Sequence, residues 1–453
     1  MAYWGIAFAL GPNYNCPWEL LEKDHLKLTL KEAHDAANLA ESLSSPDRPI
    51  EKGLIQCIRL RFQNRDLVPL EQLLAWNYAY ADSMGVLYKD FVDDLDVAAL
   101  YADSMMTLTP WKLYDVATGQ PAKGARTLDV KAVLERALQQ EGSLEHPGLL
   151  HMYIHLSEMS PTPERGLTAA EHLRDLIPDA GHAHHMPIHL DVLIGDWSRA
   201  ISSNVHATLA DEKFLAVAGA ENFYSLYRLH NYHSLIYAAM FAGKKKIALE
   251  TANRMEATIP GDVLRTKSPN LADWLEGYVA VRFHVMVRFG MWEDIIQAGL
   301  PADQELYCVT TATIHYAKGV AFAALNQVEN ALLERPIDIL AVGVPMLDGE
   351  ISYRRGDYNG AFNHLRTAIT LEDRLNYSEP WGWMQPVRHA YAALMLEQNY
   401  VEEAADAYRA DLGLESLLGR AHHHPNNVWA LQGYFECLVR LGGGMRLSCW
   451  SLS

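Results

Sequence analysis

His151, His155 and Glu158 stand at i, i+4 and i+7 in "HMYIHLSE". On a helix these positions lie one above the next on a single face, within about 60° of arc. Two imidazoles so spaced can share one metal ion, and a carboxylate one turn further can ligate it or accept a proton. A second group follows in "GHAHHMPIH", where His182, His185 and His189 bracket Pro187. Proline donates no intrahelical hydrogen bond and suits a first helical turn, so a helix is expected to start near it. That places His182 and His185 on the leading turn and His189 in the first helical turn, with His184 pointing elsewhere as a bystander. A third pair, His230 and His233, lies three apart in "YRLHNYHSLIYAAM", with Asn231 between them.

Between His146 and His233, 88 residues carry 11 of the chain's 20 histidines, where an even spread gives about 4. The candidate ligands are therefore His151, His155, Glu158, His182, His185, His189, His230 and His233. Seven imidazoles and one carboxylate exceed the three protein ligands of a tetrahedral catalytic site, so two metals, or one metal with supporting imidazoles, are expected. Imidazole suits copper, iron and zinc alike. Glu158 is the candidate ligand or proton acceptor, and Tyr227 or Asn231 the candidate for orienting a substrate. His146, ahead of Pro147, is a candidate supporting group. Met152, Met186, Tyr153 and Tyr224 are expected to pack. The run His422, His423, His424 is expected in a solvated loop. The chain has no GxSxG nucleophile elbow, HExxH helix, glycine-rich phosphate loop or dinucleotide fingerprint.

Elements must hold these side chains, and composition bounds them. The chain has 453 residues, 49% hydrophobic and 21% charged, which is ordinary globular composition. A net charge of −18 argues against the basic face that phosphate contacts need, so no nucleic-acid partner is expected. No stretch of about 18 uncharged apolar residues occurs, so no membrane span is expected. In "GYVAVRFHVMVRFG", Arg282 and Arg288 interrupt the apolar residues. The five cysteines, Cys16, Cys57, Cys308, Cys437 and Cys449, are scattered and lack CxxC spacing, which fits a reducing, cytoplasmic setting. "MAYWGIAFALGPN" lacks a basic leader and reads as a helix ending at Gly11-Pro12.

The organising signal is self-similarity. Gly195, Gly243, Gly290, Asn326, Gly356 and Asn399 recur at spacings of 30 to 48 residues, each after an apolar helical stretch. A Gly or Asn ending one helix, with Ala a few residues on where helices touch, is how helical hairpins stack. Strand signals are scarce. The expected fold is all-α, an α-solenoid of tetratricopeptide-like hairpins forming one domain over 1–441, with the histidine-rich core at 146–233 and a frayed tail at 442–453. Before residue 140, "LEQLLAWNYAYADSMGVLYKDF" and "DVAALYADSMMTLTPW" read as helices and "YDVATGQPAKGARTLD" as a loop.

Together these segments resemble a family of bacterial and fungal tetratricopeptide-repeat proteins whose function is unsettled. The resemblance covers most of the chain. It is carried by "AYWGIAFALGPNYN", "DVAALYADSMMTLTPW", "HPGLLHMYIHLSEMSPTPERGL", "LIPDAGHAHHMPIHLDVLIGDW", "YRLHNYHSLIYAAM" and "EPWGWMQPVRHAYAALML". The family pattern is similar to HxYIHxxExS, GHxxHMPxH and HNxH. His151, His155, Glu158, His182, His185, His189, His230 and His233 occupy its motif positions, and His184 a variable one. Relatives usually carry a helix before "AYWG" and a closing helix where this chain reads "GGGMRLSCWSLS", so the resemblance does not extend to the terminal caps. Some bacterial relatives are joined to redox domains, which implies oxidation chemistry.

The expectation is a metal-dependent oxidoreductase acting on a small organic molecule, with copper or iron held by the histidines on a concave wall. A zinc-dependent hydrolase or lyase needs the same ligands. A scaffold binding a protein partner in the repeat groove needs no turnover, and Trp381 and Trp383 would then be contacts.

Overall fold

The computed structural model describes residues 1–267, 271–333, 341–380, 382–415 and 417–442. Among these the chain is mostly helical, as the periodicity predicts. One exception is a two-residue antiparallel pairing, Tyr114 opposite Pro121 and Asp115 opposite Gln120, inside the stretch read as a loop. Asp115 Oδ1 accepts from Thr118 N and Oγ1 (both 2.9 Å), and Gly119 follows with a φ of +67°, so local turn chemistry closes this hairpin. No described helix is long and apolar enough to cross a membrane.

The described residues divide into two compact units, Met1–Leu190 with Lys267, and Asp191–Thr266 with the residues from Leu271 onward. The first begins with the helix Ala2–Leu10, which stops at Gly11 where the sequence places its end. The two apolar stretches before residue 140 form Leu70–Asp90 and Leu95–Met106. Leu30, Ile58, Phe62, Trp76 and Tyr80 fill one core of this unit. Met106, Val130, Leu134, Leu150, Ile154 and Leu173 fill another, directly behind the histidine helix. Each such buried aliphatic side chain stabilises by about 1.5–3 kcal/mol. Met152 and Met186 belong to this second core, as expected of packing residues.

In the second unit all six recurrent turn residues have positive φ: Gly195 75°, Gly243 66°, Gly290 63°, Asn326 59°, Gly356 80° and Asn399 65°. The hydrogen bonding repeats as well. At Gly243 the amide donates to Met240 O and the next amide, Lys244 N, reaches back to Ala239 O. Asn326 and Gln327 do the same to Ala323 O and Phe322 O, and Asn399 and Tyr400 to Leu396 O and Met395 O. This paired bonding satisfies the last helical carbonyls and requires the left-handed conformation that only Gly and Asn adopt at low cost. Each turn leads within two residues into a new helix, such as Lys245–Ala257, Val328–Leu333 or Val401–Asp411.

Candidate metal centre

The histidine helix runs Pro147–Glu158. Pro147 sits at its first position and His146 is its cap, with Nδ1 accepting from Leu149 N at 3.2 Å. His146 thus has a helix-starting role, and its other nitrogen lies 3.1 Å from Asp96 Oδ1. The helical register stacks His151, His155 and Glu158 on one face. His155 and Glu158 are fully buried, and His151 half-buried.

"GHAHHMPIH" folds as a short helix, Gly181–His185, then Met186 and Pro187, then the helix Ile188–Ile194. Pro187 immediately precedes a helix, as its chemistry demands. The short helix ahead of it was not expected, and it aims His182 and His185 to the same side. His184 turns away and its Nε2 lies 3.1 Å from Pro178 O.

These segments bring five imidazoles together within the first unit. His151 Nε2 is 3.0 Å from His182 Nε2. His189 Nε2 is 2.9 Å from His185 Nε2. Ring centroids of His151 and His155 are 4.7 Å apart, of His155 and His189 5.5 Å, and of His182 and His185 6.0 Å. A ring nitrogen from each of His151, His155 and His182 lies within 4.8 Å of the other two, so these three could hold a metal ion. Two nitrogens on one tetrahedral ion at about 2.0–2.1 Å stand about 3.3 Å apart, close to the 3.0 Å observed.

Glu158 decides the orientation of the rings. Its Oε1 accepts from His155 Nδ1 at 2.9 Å, which commits that ring's proton to Nδ1 and leaves the Nε2 lone pair facing the cluster. Its Oε2 lies 2.9 Å from His189 Nδ1. Burial, and then the neighbouring imidazoles, hold His151 and His182 well below the ordinary histidine value, so both are neutral at pH 7 with lone pairs for a metal.

Asn15 joins this site without a sequence signal. Its Nδ2 stands 3.3 Å from both His155 Nε2 and His182 Nε2, across 140 and 167 residues. Asn13 Oδ1 accepts from Asn15 N (2.9 Å) and Cys16 N (3.0 Å), a side-chain turn that presents Asn15. Tyr14 packs on His155 at 4.7 Å and on Trp111 at 5.4 Å. Trp111, whose ring meets His155 edge-on at 5.8 Å, has a φ of +61°, a strained backbone for so large a residue.

His230, His233, Tyr227 and Asn231 stand in the second unit, on the helix Tyr224–Phe241. His233 Nε2 is 2.9 Å from Met384 Sδ. Burial and the nearby His284 push its imidazole down to about 3. Asn231 Nδ2 donates to Asp211 Oδ2 at 2.8 Å, and Tyr224 donates to the same carboxylate's Oδ1 at 2.8 Å, while Tyr227 stacks on Tyr224. Tyr153 donates to Glu135 Oε1 at 3.3 Å. His422, His423 and His424 do not stand in solvent as expected. His424 Nδ1 lies 2.8 Å from the buried Asp411 Oδ1, and His423 Nε2 3.1 Å from Leu418 O. Trp383 is buried, donating to Met346 Sδ at 3.1 Å, and Trp381 and the tail from residue 443 lie outside the described residues.

Chemically, the first unit offers neutral imidazole donors, a carboxylate used to orient two of them, and an aromatic wall. No protein-family model and no curated protein sequence matches the chain.

Proposed function

We propose that this chain is a metal-dependent oxidoreductase, with copper held by His151, His155 and His182 and a small organic molecule as substrate. The observation that carries this reading is the convergence of those three ring nitrogens within 4.8 Å. Copper is favoured over iron because Glu158 is engaged by the Nδ1 sides of His155 and His189, and non-haem iron sites take a carboxylate as ligand. His185 and His189, with Nε2 atoms 2.9 Å apart, would supply a second ion or support the first. Bound copper would supply electron transfer from the substrate toward dioxygen. Tyr14 and Trp111 would form the apolar wall beside it. The six left-handed helix ends support reading the fold as an α-solenoid of tetratricopeptide-like hairpins, and the motif pattern supports the family resemblance. The free thiols of Cys16, Cys57, Cys308 and Cys437 suit the cytoplasm.

The test is elemental analysis and electron paramagnetic resonance of untagged protein purified without chelator, beside a His151→Ala, His182→Ala double variant. Near-stoichiometric copper, lost in the variant, is the expected result and would justify substrate screening under dioxygen. Zinc lost in the same way would overturn the redox reading in favour of a hydrolase or lyase. Metal-free wild-type protein that stays so after reconstitution would overturn the metal centre and leave a partner-binding scaffold.

A further inference from the structure

The second unit holds a cavity of about 370 Å³ that the histidine chemistry does not use. Small-molecule pockets span about 300–1,000 Å³, so this one suits a small ring compound. Trp292, Tyr316, Met346, Leu394 and Trp429 give its wall an apolar and aromatic character. The Trp429 indole N–H is committed to Met240 O at 2.8 Å, and the Tyr316 hydroxyl meets Met346 Sδ at 3.8 Å. What these two side chains offer a ligand is therefore ring surface, against which another ring packs edge-on or offset.

The ionic groups on the wall are engaged within it. Arg354 lies on Glu350 through Nε (2.9 Å) and Nη2 (2.8 Å), so the two charges offset each other. Arg288 Nη1 lies 3.1 Å from His389 Nδ1, and its Nε and Nη2 are sealed from solvent, beyond the reach of a ligand. A guanidinium only donates, so His389 Nδ1 accepts and the ring's proton is on Nε2, where it goes to Asp411 Oδ2 at 2.8 Å. A charged ligand would thus exchange water for apolar surface without gaining an unpaired counter-ion, which is costly.

Gln385 offers a neutral polar atom instead. The His284 carbonyl only accepts, so the amide nitrogen of Gln385 must face it, and Nε2 donates to that oxygen at 2.7 Å. The amide is fixed with Oε1 as its free end. Oε1 has no hydrogen-bond partner among the described residues, and it is not one of the side-chain atoms sealed from solvent. Gln385 is only 5% exposed and lines this cavity, so the cavity is where that oxygen is reached. An amide oxygen accepts, and its complement is one O–H or N–H donor.

We propose that this cavity binds a small neutral aromatic alcohol of the phenol type, its hydroxyl donating to Gln385 Oε1 and its ring packed among Trp429, Tyr316 and Leu394. The site lies wholly within the second unit, and the proposal does not depend on the metal centre.

The experiment is calorimetric titration of the full chain with 4-ethylphenol, which is neutral at pH 7. Beside it stand 4-ethylanisole, which lacks the donor, 3-phenylpropanoate as an anion and phenethylamine as a cation. The phenol is expected to bind, with the ether at least about threefold weaker for loss of one neutral hydrogen bond. The two ions are expected to be at least about tenfold weaker. Gln385→Leu removes the acceptor and is expected to bring the phenol down to the level of the ether. Because that variant also releases the His284 carbonyl, Ala390→Trp and Ala393→Trp test the cavity without touching that bond. Both alanines line it and neither is fully buried, and a large ring at one or the other is expected to abolish binding with the fold intact. The proposal is overturned if the phenol binds more weakly than about 10 mM, or if the ether or either ion matches it. Full affinity in both tryptophan variants, or an unchanged preference for phenol over ether in folded Gln385→Leu, would also overturn it.

Discussion

His155 Nδ1 donates to Glu158 Oε1 across 2.9 Å, with both side chains fully buried. A carboxylate so placed sets which ring nitrogen carries the proton and turns the other toward the neighbouring imidazoles. It raises the basicity of the ring and fixes its angle, as carboxylates behind metal-bound histidines do.

Glu158→Gln tests this role. It is expected to lower metal affinity about 10–100-fold while leaving the fold intact. Competition against a chelator of known affinity measures the loss. Unchanged affinity would remove the carboxylate from the site, and a loss as complete as in His155→Ala would make it a direct ligand.

Asn15→Leu removes the donor shared by His155 Nε2 and His182 Nε2 at nearly constant volume. The metal-free protein is expected to lose about 1–3 kcal/mol, the cost of a buried polar group left unpaired. A metal would satisfy the same lone pairs, so the loaded protein should lose less, and the rise in Tm on adding metal should grow. An equal loss in both states would contradict this.

Stability should have a maximum in pH set by buried groups of the second unit. Burial and the nearby Arg288 charge push His284 down to about 4. Its unfolded value lies near 6.5, so the unfolded chain binds the extra proton and stability rises as pH goes from about 4 to 6.5. Burial, opposed by the Val387 amide and then Arg388, pushes Glu372 up to about 8. Here the folded chain holds the proton, so stability falls as pH rises from about 4.5 through 8. Each group contributes up to about 1.4 kcal/mol per pH unit within its window. Denaturant melts of Glu372→Gln across pH 5–9 should show a flatter alkaline limb than wild type, and an unchanged limb would assign the loss elsewhere.

Asn399 closes its helix at a φ of +65°. Asn399→Gly should be near neutral, and Asn399→Ala should cost about 1–2 kcal/mol, since alanine carries a Cβ into the left-handed region. Chemical denaturation of both variants measures the difference. Equal stability would mean that the turn relaxes.

Much of this was legible in the chain because it is local. The i, i+4, i+7 spacing of His151, His155 and Glu158 dictates a shared helical face once the segment is helical, and Pro147 and Pro187 mark where helices start. Gly195, Gly243, Gly290, Asn326, Gly356 and Asn399 announce left-handed helix ends because few other residues tolerate them. Tertiary packing alone decided which groups meet. Asn15 reaches His155 across 140 residues, and no pattern along the chain encodes that approach. In sequence Arg288 merely interrupts an apolar stretch, yet its Nη1 meets His389 Nδ1 at 3.1 Å across 101 residues. Hydrogen-bond vacancies and ring tautomers depend on what surrounds an atom, so they are fixed only when distant segments close around it.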